Sequence, residues 1–456
     1  MNCLSCTKKE RMETIPAEDV IKATGGKVLS RNADVFAGLS IDSRTIQEGE
    51  LFIALKGLRF DGHDFLKKAL ETGSGAIVDT YSDESIRGKT IIQVRDTLEA
   101  LQKIARYMRL KRNIPIVGVT GSNGKTTTKE LIALILGTRY RVLKNKGNLN
   151  NNIGLPLTLA GIHDADEIGV LEMGASASGE IKDLCEIAMP QYGVLTNISP
   201  AHLEGFKDIE TVRRTKLELL AYTGVAVVNA DDPFLMEGVR ASGFKGWVVR
   251  YGIKNYAEIR ATRVRLLKKG AVFHLITAEN ISLEIRPQVS GMFNIYNILA
   301  AASIGYLFNI DSEAMRKAID SFTGIPMRLE IKDMNGIRII SDVYNANPAS
   351  MRCALQELAR SKKGRSIAVL GDMLELGAYE EEEHRQLGRL LQELSIDIFI
   401  AVGARMVSAA QEFKGRVYDV KSAEAAGRLL REIYKKGDTV LIKGSRGMNM
   451  EKVLGG

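Results

Sequence analysis

Apolar and polar positions along this chain switch repeatedly between period 2 and period 3.6, which lays out strands and helices in alternation. Ile114 to Val119 is an apolar, β-branched run that reads as a buried strand. It breaks at Thr120-Gly121-Ser122-Asn123-Gly124, and an apolar-periodic helix is predicted from Lys125 to about Leu136. Ile168–Met173, Tyr192–Ile198 and Val225–Asn229 read as further buried strands, with a helix over Thr211–Ala221 between the last two. Residues 257–288 alternate as antiparallel strands do and are expected to form an appendage, and Phe293 opens a helix. Upstream, residues 15–113 are a mixed α/β region closed by an amphipathic helix over Asp96–Arg112. After the break Thr323-Gly-Ile-Pro326, Ile337–Ile340, Ser366–Leu370, Ile396–Val402 and Thr439–Ile442 read as strands separated by helices.

The pattern predicts an α/β protein of three domains. Residues 1–113 form a small N-terminal α/β domain. Residues 114–326 form a central doubly wound sheet, with its site at the C-terminal ends of the strands. Residues 327–456 form a smaller Rossmann-like domain.

Composition changes this picture little. At 45% hydrophobic and 26% charged, 456 residues hold ample apolar material for several cores. The net charge of +8 (63 basic against 55 acidic) favours anionic ligands. The basic residues are scattered without interleaved aromatics, so nucleic acid is not an expected partner. No apolar run reaches spanning length and no signal peptide opens the chain, so no membrane partner is expected either. Cys3-x-x-Cys6 has no second pair to complete a zinc site, and with Cys185 and Cys353 it reads as incidental thiols of a reduced, cytoplasmic protein. Met12 is an alternative start, since patterned sequence begins near Ile15.

The chemistry gathers on the break after the first central strand. Strand, glycine-rich turn, Lys125-Thr126, helix is the order of a phosphate-binding loop. The glycines let the backbone approach phosphate oxygens, and the helix N-terminus aims N–H groups at them. Lys125 can reach the β- and γ-phosphates, and the Thr126 hydroxyl can ligate Mg²⁺. Val119 stands where the strict pattern has glycine. A ligand-free strand–helix turn is the plain alternative.

Three more groups fall near predicted strand ends. Glu172 ends a strand, His202 follows Asn197-Ile-Ser-Pro200, and Lys216 lies in the next helix. Singly they could be a helix-cap carboxylate, a loop histidine and a solvated lysine. Together they suit a hard cation beside phosphate. Arg328, just past the second break, could make an interface ion pair or contact the γ-phosphate. Asn148–Pro156 and Asn345-Ala-Asn347-Pro348 could be capped turns before helices.

The segment Thr120-Gly-Ser-Asn-Gly-Lys-Thr-Thr127 resembles the ATP loop of the Mur ligases, which use this shortened glycine pattern. Asn148–Pro156, Leu171-Glu-Met-Gly174, Asn197–Leu203 and Ile325–Glu330 also resemble that family. So do Asp342–Pro348, Ala368–Gly377 and Lys443-Gly-Ser-Arg446, while Asp42-Ser-Arg44 and Phe60–Phe65 resemble its uridine-nucleotide-binding domain. The resemblance covers nearly all of the chain after Ile15. One departure is Phe293, where relatives often carry histidine.

The resemblance implies ATP-dependent addition of D-alanyl-D-alanine to UDP-N-acetylmuramoyl-tripeptide through an acyl phosphate, by a monomer whose domains close over the intermediate. It implies ATP contacts from Gly121, Ser122, Asn123, Gly124, Lys125, Thr126, Thr127, Asn294, Asn297, Arg328 and Asp342. It places substrate on Ser43, Arg44, Asp61, Gly62, His63, Asn150, Tyr344, Asn345 and Asn347. Mg²⁺ would sit on Thr126, Glu172, His202 and a carbamylated Lys216, with Lys125, Lys216, His202 and Arg328 serving the chemistry. A folylpolyglutamate-type ligase and a P-loop ATPase that makes no amide bond are the rival functions.

Overall fold

The computed structural model describes residues 14–57, 60–80, 88–267 and 269–455. The Cys3–Cys6 pair and Met12 lie outside the described residues. The chain divides into two compact units. The first holds residues 1–117, 140–173 and 183–190, and the second holds residues 118–139, 174–182 and 191–456.

In the first unit a five-stranded sheet runs in the order Lys27–Ser30, Thr90–Gln93, Gly75–Val78, Leu51–Ile53, Leu39–Ser40. The first pair is antiparallel and the rest parallel. Helix Thr97–Lys111, capped by the Asp96 carboxylate on Glu99 N–H, buries Leu101, Ile104 and Met108 in the core with Val20, Ile53 and Ile77. Val142–Lys144 and Ile168–Glu172 form a parallel pair, the latter buried throughout, which accounts for its uninterrupted apolar run.

In the second unit Tyr192–Leu195, Val225–Asn229, Trp247–Gly252 and Ile259–Leu266 pair parallel in succession. Ala271–Ile276 and Ser282–Ile285 follow antiparallel. These last strands, expected as an appendage, extend the same sheet. The reason is local: Ile259 and Ala261 are buried and keep the strand on the core, while the residues after them alternate toward solvent. The helix predicted over Thr211–Ala221 is α-helical over Ile209–Leu217 and tightens to 3₁₀ over Glu218–Tyr222.

Also in the second unit, a six-stranded sheet runs in the order Glu330–Met334, Ile337–Asp342, Thr439–Lys443, Ser366–Gly371, Ile398–Val402, Arg416–Val420. Only the first pair is antiparallel. Two apolar layers, one around Leu355 and Leu391 and one around Val369 and Val440, cover its two faces. Among the described residues no helix is long and apolar enough to cross a membrane.

Candidate functional site

Strand Ile116–Thr120 ends in the loop, and helix Lys125–Leu136 starts directly from it. Gly124 stands at the helix cap with φ +82°, and a Cβ there would lie 2.3 Å from the Asn297 amide oxygen. A Cβ at Gly121 (φ +140°) would lie 2.0 Å from the Thr196 hydroxyl. Both positions therefore require glycine, for conformation and for space.

Neighbouring polar groups hold the loop open. Ser122 N–H donates to Asn197 O at 2.9 Å, Ser122 Oγ donates to Ser199 O at 2.8 Å, and Thr196 Oγ1 donates to Asn123 O at 2.6 Å. Lys125 curls back, its ammonium donating to Gly121 O at 2.8 Å and Ser122 O at 3.1 Å. The cation is thus fixed over the loop by two carbonyls before any anion arrives. Thr126 and Thr127 are buried beneath it.

Arg328 reaches this loop from across the second break. Its Nη2 donates to Thr126 Oγ1 at 2.9 Å, and its guanidinium lies 4.0 Å over the Tyr344 ring. Its two neighbours, Met327 (φ +66°) and Leu329 (φ +46°), are both left-handed, so the turn that presents Arg328 is strained on either side. Asn347 caps helix Pro348–Ser361 through a capping box and also donates from Nδ2 to Asn123 Oδ1 at 2.9 Å. One residue is therefore both the expected helix start and a contact to the phosphate loop. Asp342 is taken up internally: it pairs with the buried Lys443 ammonium at 2.5 Å, which also donates to Asn345 O.

Lys216 is 2% exposed, which overturns its reading as a solvated lysine. Its Nζ donates to Ala175 O at 3.3 Å and stands 5.5 Å from the Phe206 ring. Burial, and then repulsion from Lys125, pushes its amine down to about 7, against the opposing pull of Glu180 and Glu218. His202 sits at the start of the short helix Leu203–Phe206, and its Nδ1 meets Glu375 Oε2 at 2.5 Å. Asn294 and Asn297 are buried and bonded to each other, with Asn297 Oδ1 accepting from Thr128, so they brace the helix start.

In the first unit Glu172 is 2% exposed at its strand end, so it caps no helix. Asn145 grips its backbone on both sides, at 2.9 Å each, and Asn150 donates to Oε1 at 2.8 Å. Its Oε2 is buried with no hydrogen-bond partner among the described residues. A buried carboxyl oxygen left without a partner fits a cation ligand. Asp61 bonds His63 Nδ1 at 2.6 Å, and His63 Nε2 accepts from Asp79 N–H at 3.2 Å. Gly62 packs on the Ala54–Leu55 backbone, where a Cβ would meet atoms at 2.7 Å. Arg44 is turned onto Asp42 at 2.6 Å beside Ser43.

Sequence reading missed Glu375 as a partner of His202, and it missed Asn145. Glu375 stood inside a motif already singled out, but only topology brings it to His202. Among the described residues no three His, Cys, Asp or Glu side chains cluster as a ready cation site. Hard oxygens for a cation at the loop would therefore include those of phosphate and of the Thr126 hydroxyl.

The chain matches three family descriptions: Mur ligase family, catalytic domain, over residues 35–109; Mur ligase middle domain over 119–305; and Mur ligase, glutamate ligase domain, over 327–446. It is 37% identical to the UDP-N-acetylmuramoyl-tripeptide–D-alanyl-D-alanine ligase of Bacillus subtilis, over 92% of this chain and 93% of that protein. The Escherichia coli enzyme of the same name is 33% identical, over 91% and 92%. Among solved structures, MurF from Acinetobacter baumannii superposes with TM-score 0.90 at 31% identity, covering 97% and 98% of the two chains. MurF from Thermotoga maritima in complex with ADP superposes at 0.81 with 30% identity, covering 92% and 96%. A Mycobacterium tuberculosis folylpolyglutamate synthase, at TM-score 0.64 and 18% identity, shares the fold alone.

Proposed function

Because the chain belongs to the Mur ligase family, we propose that its phosphate loop serves the joining of D-alanyl-D-alanine to UDP-N-acetylmuramoyl-tripeptide. The protein is an ATP-dependent ligase of peptidoglycan precursor synthesis. The observation that carries the site assignment is the meeting of Arg328 with Thr126 on the loop.

The chemistry follows from the substrates. A peptide carboxylate is a poor electrophile at neutral pH. A carboxylate oxygen attacks the γ-phosphorus of ATP, the bond to the β,γ-bridging oxygen breaks, and ADP leaves. The dipeptide amine then attacks the acyl carbon, the carbon–oxygen bond to phosphate breaks, and phosphate and a proton depart. Lys125 and the helix N-terminus hold the phosphates, and Arg328 adds positive charge where it grows on the transferring group. The acyl phosphate must be kept from water, so the domains are expected to close over it.

Mg²⁺, when bound, would neutralise phosphate charge as the phosphoryl group moves. In the second unit we assign it Thr126, His202 and Lys216. For Glu172 the assignment rests on its own orphaned oxygen. A buried lysine amine can add to CO₂, losing a proton to give an anionic carbamate with hard oxygens, and we assign that form to Lys216. Asp61, His63, Gly62, Ser43 and Arg44 are assigned to the uridine nucleotide, Asn150 to the substrate and Tyr344, Asn345 and Asn347 to the peptide side. Asn294, Asn297 and Asp342 keep their assignment to the ATP site through the groups they brace. Residues 1–113, 114–326 and 327–456 are our functional division into nucleotide–peptide, ATP and closing domains, supported by the three matched ranges. A cytoplasmic location accords with nucleotide-linked substrates.

The test of the acyl phosphate is isotopic. With ¹⁸O in the terminal carboxylate of the tripeptide, one label should appear in released phosphate. Label retained wholly in the peptide product would overturn the reading.

A further inference from the structure

His202 and Glu375 lie 173 positions apart and are both held in the left-handed region, at φ +52° and +64°. Non-glycine residues adopt that conformation at a cost and keep it only where the surroundings over-determine it. Here the surroundings do so. Around Glu375 the loop is pinned at each step. Asp372 accepts from Met406 N–H at 2.9 Å, and Met373 N–H donates to the buried His384 Nε2 at 3.1 Å. Leu374 N–H donates to Ser445 Oγ at 2.9 Å, while Met373 and Leu376 are buried. The Glu375 carbonyl accepts from Glu204 N–H at 3.0 Å, which docks the loop on the helix that His202 starts.

With side chains 34% and 56% exposed, His202 and Glu375 would gain little as an ion pair alone. Two strained backbones held for so weak a pair point to a positional role. A carboxylate placed against Nδ1 favours the tautomer with the ring proton there, in which Nε2 offers its lone pair. That is the arrangement in which a carboxylate orients a histidine toward a metal.

We propose that Glu375 is a positioning residue: it fixes the tautomer and ring angle of His202 so that Nε2 serves as a cation ligand during ATP chemistry. The inference rests on the assignment of His202 to Mg²⁺. It adds that the ligand is complete only while the 372–377 loop is docked. Cation affinity and docking are then linked, each strengthening the other.

The test is Mn²⁺ binding, by the electron paramagnetic resonance of free Mn²⁺, to the full chain saturated with a non-hydrolysable ATP analogue. It is joined to ¹⁵N NMR of the imidazole rings, which only five histidines make assignable. Glu375→Ala should weaken the Mn²⁺ held beyond the nucleotide's own by about 10–100-fold and move His202 to a mixture of tautomers. Glu375→Gln keeps an acceptor for Nδ1–H and should hold the tautomer with a smaller loss. His202→Ala should lose the same Mn²⁺. If His202→Ala loses it while Glu375→Ala binds as wild type with an unchanged tautomer, the positioning role is overturned and the ligand assignment stands. If His202→Ala binds Mn²⁺ unchanged, the ligand assignment fails and the positioning role falls with it.

Discussion

The Arg328 guanidinium donates to the Thr126 hydroxyl at 2.9 Å, joining residues 202 positions apart on the phosphate loop. Thr126 is the residue whose hydroxyl a loop of this kind offers to Mg²⁺. On the proposed assignment Arg328 stands where nucleotide and cation would arrive, and it would shift to a phosphate oxygen when they do.

Arg328→Ala should lower kcat by about 10²–10³-fold, the usual effect of removing one donor from a charge-developing site. Stability should fall by only about 1 kcal/mol, for one hydrogen bond and one ring contact at a half-buried side chain. Phosphate release and thermal unfolding check the two numbers. A loss of stability that accounts for all lost activity would contradict the role.

Lys216 separates two chemistries by the sign of charge. As a carbamate it is an anion, and Lys216→Ala activity should recover partly with acetate or formate. As a phosphate-binding cation it would recover with small amines instead. The amine at about 7 is substantially neutral at neutral pH, as attack on CO₂ requires. Rescue by amines alone would decide against the carbamate.

Asn347→Ala removes a helix cap and a loop contact together. Stability should fall by about 1 kcal/mol from the cap. Asn347→Asp keeps the cap but puts a carboxylate against Asn123 Oδ1, so it should spare stability and raise the KM for ATP. Equal KM in Asn347→Asp and wild type, by steady-state kinetics, would show that the Asn347–Asn123 contact does not serve the nucleotide loop.

His384 gives the protein an acid limit. Burial first, against the pull of the Glu380 carbonyl and the Asp372 and Glu380 charges, lowers its pKa below the ordinary 6.5. The unfolded chain then takes up a proton before the folded one as pH falls. The stabilisation is complete above 6.5 and is lost as pH drops from 6.5 through the folded pKa. Urea unfolding at pH 7.5 and 5.5 should show this loss, and His384→Gln should flatten it while lowering stability at pH 7.5 by about 1–3 kcal/mol. An equal slope in the variant would contradict it.

Strands such as Ile168–Glu172 and Ser366–Gly371 were legible because burial on both faces leaves unbroken apolar runs, whereas Gly75–Val78 and Trp247–Gly252, also flanked on both sides, were not read as strands. Glu330–Met334 and Arg416–Val420 were not, because they are sheet edges whose exposed, charged residues carry no such run. The loop at Gly121–Thr126 was legible because backbone geometry demands glycine there. The state of Lys216 was not, since helical position alone says nothing about what covers a side chain. Nor was Glu375, whose partner is set by the docking of one loop on one helix.

The most direct measurement of the central claim is phosphate release with each reactant omitted in turn. Phosphate should appear at full rate only with ATP, Mg²⁺, UDP-N-acetylmuramoyl-tripeptide and D-alanyl-D-alanine together, in step with the pentapeptide product. Equal ATP turnover without the dipeptide would contradict it.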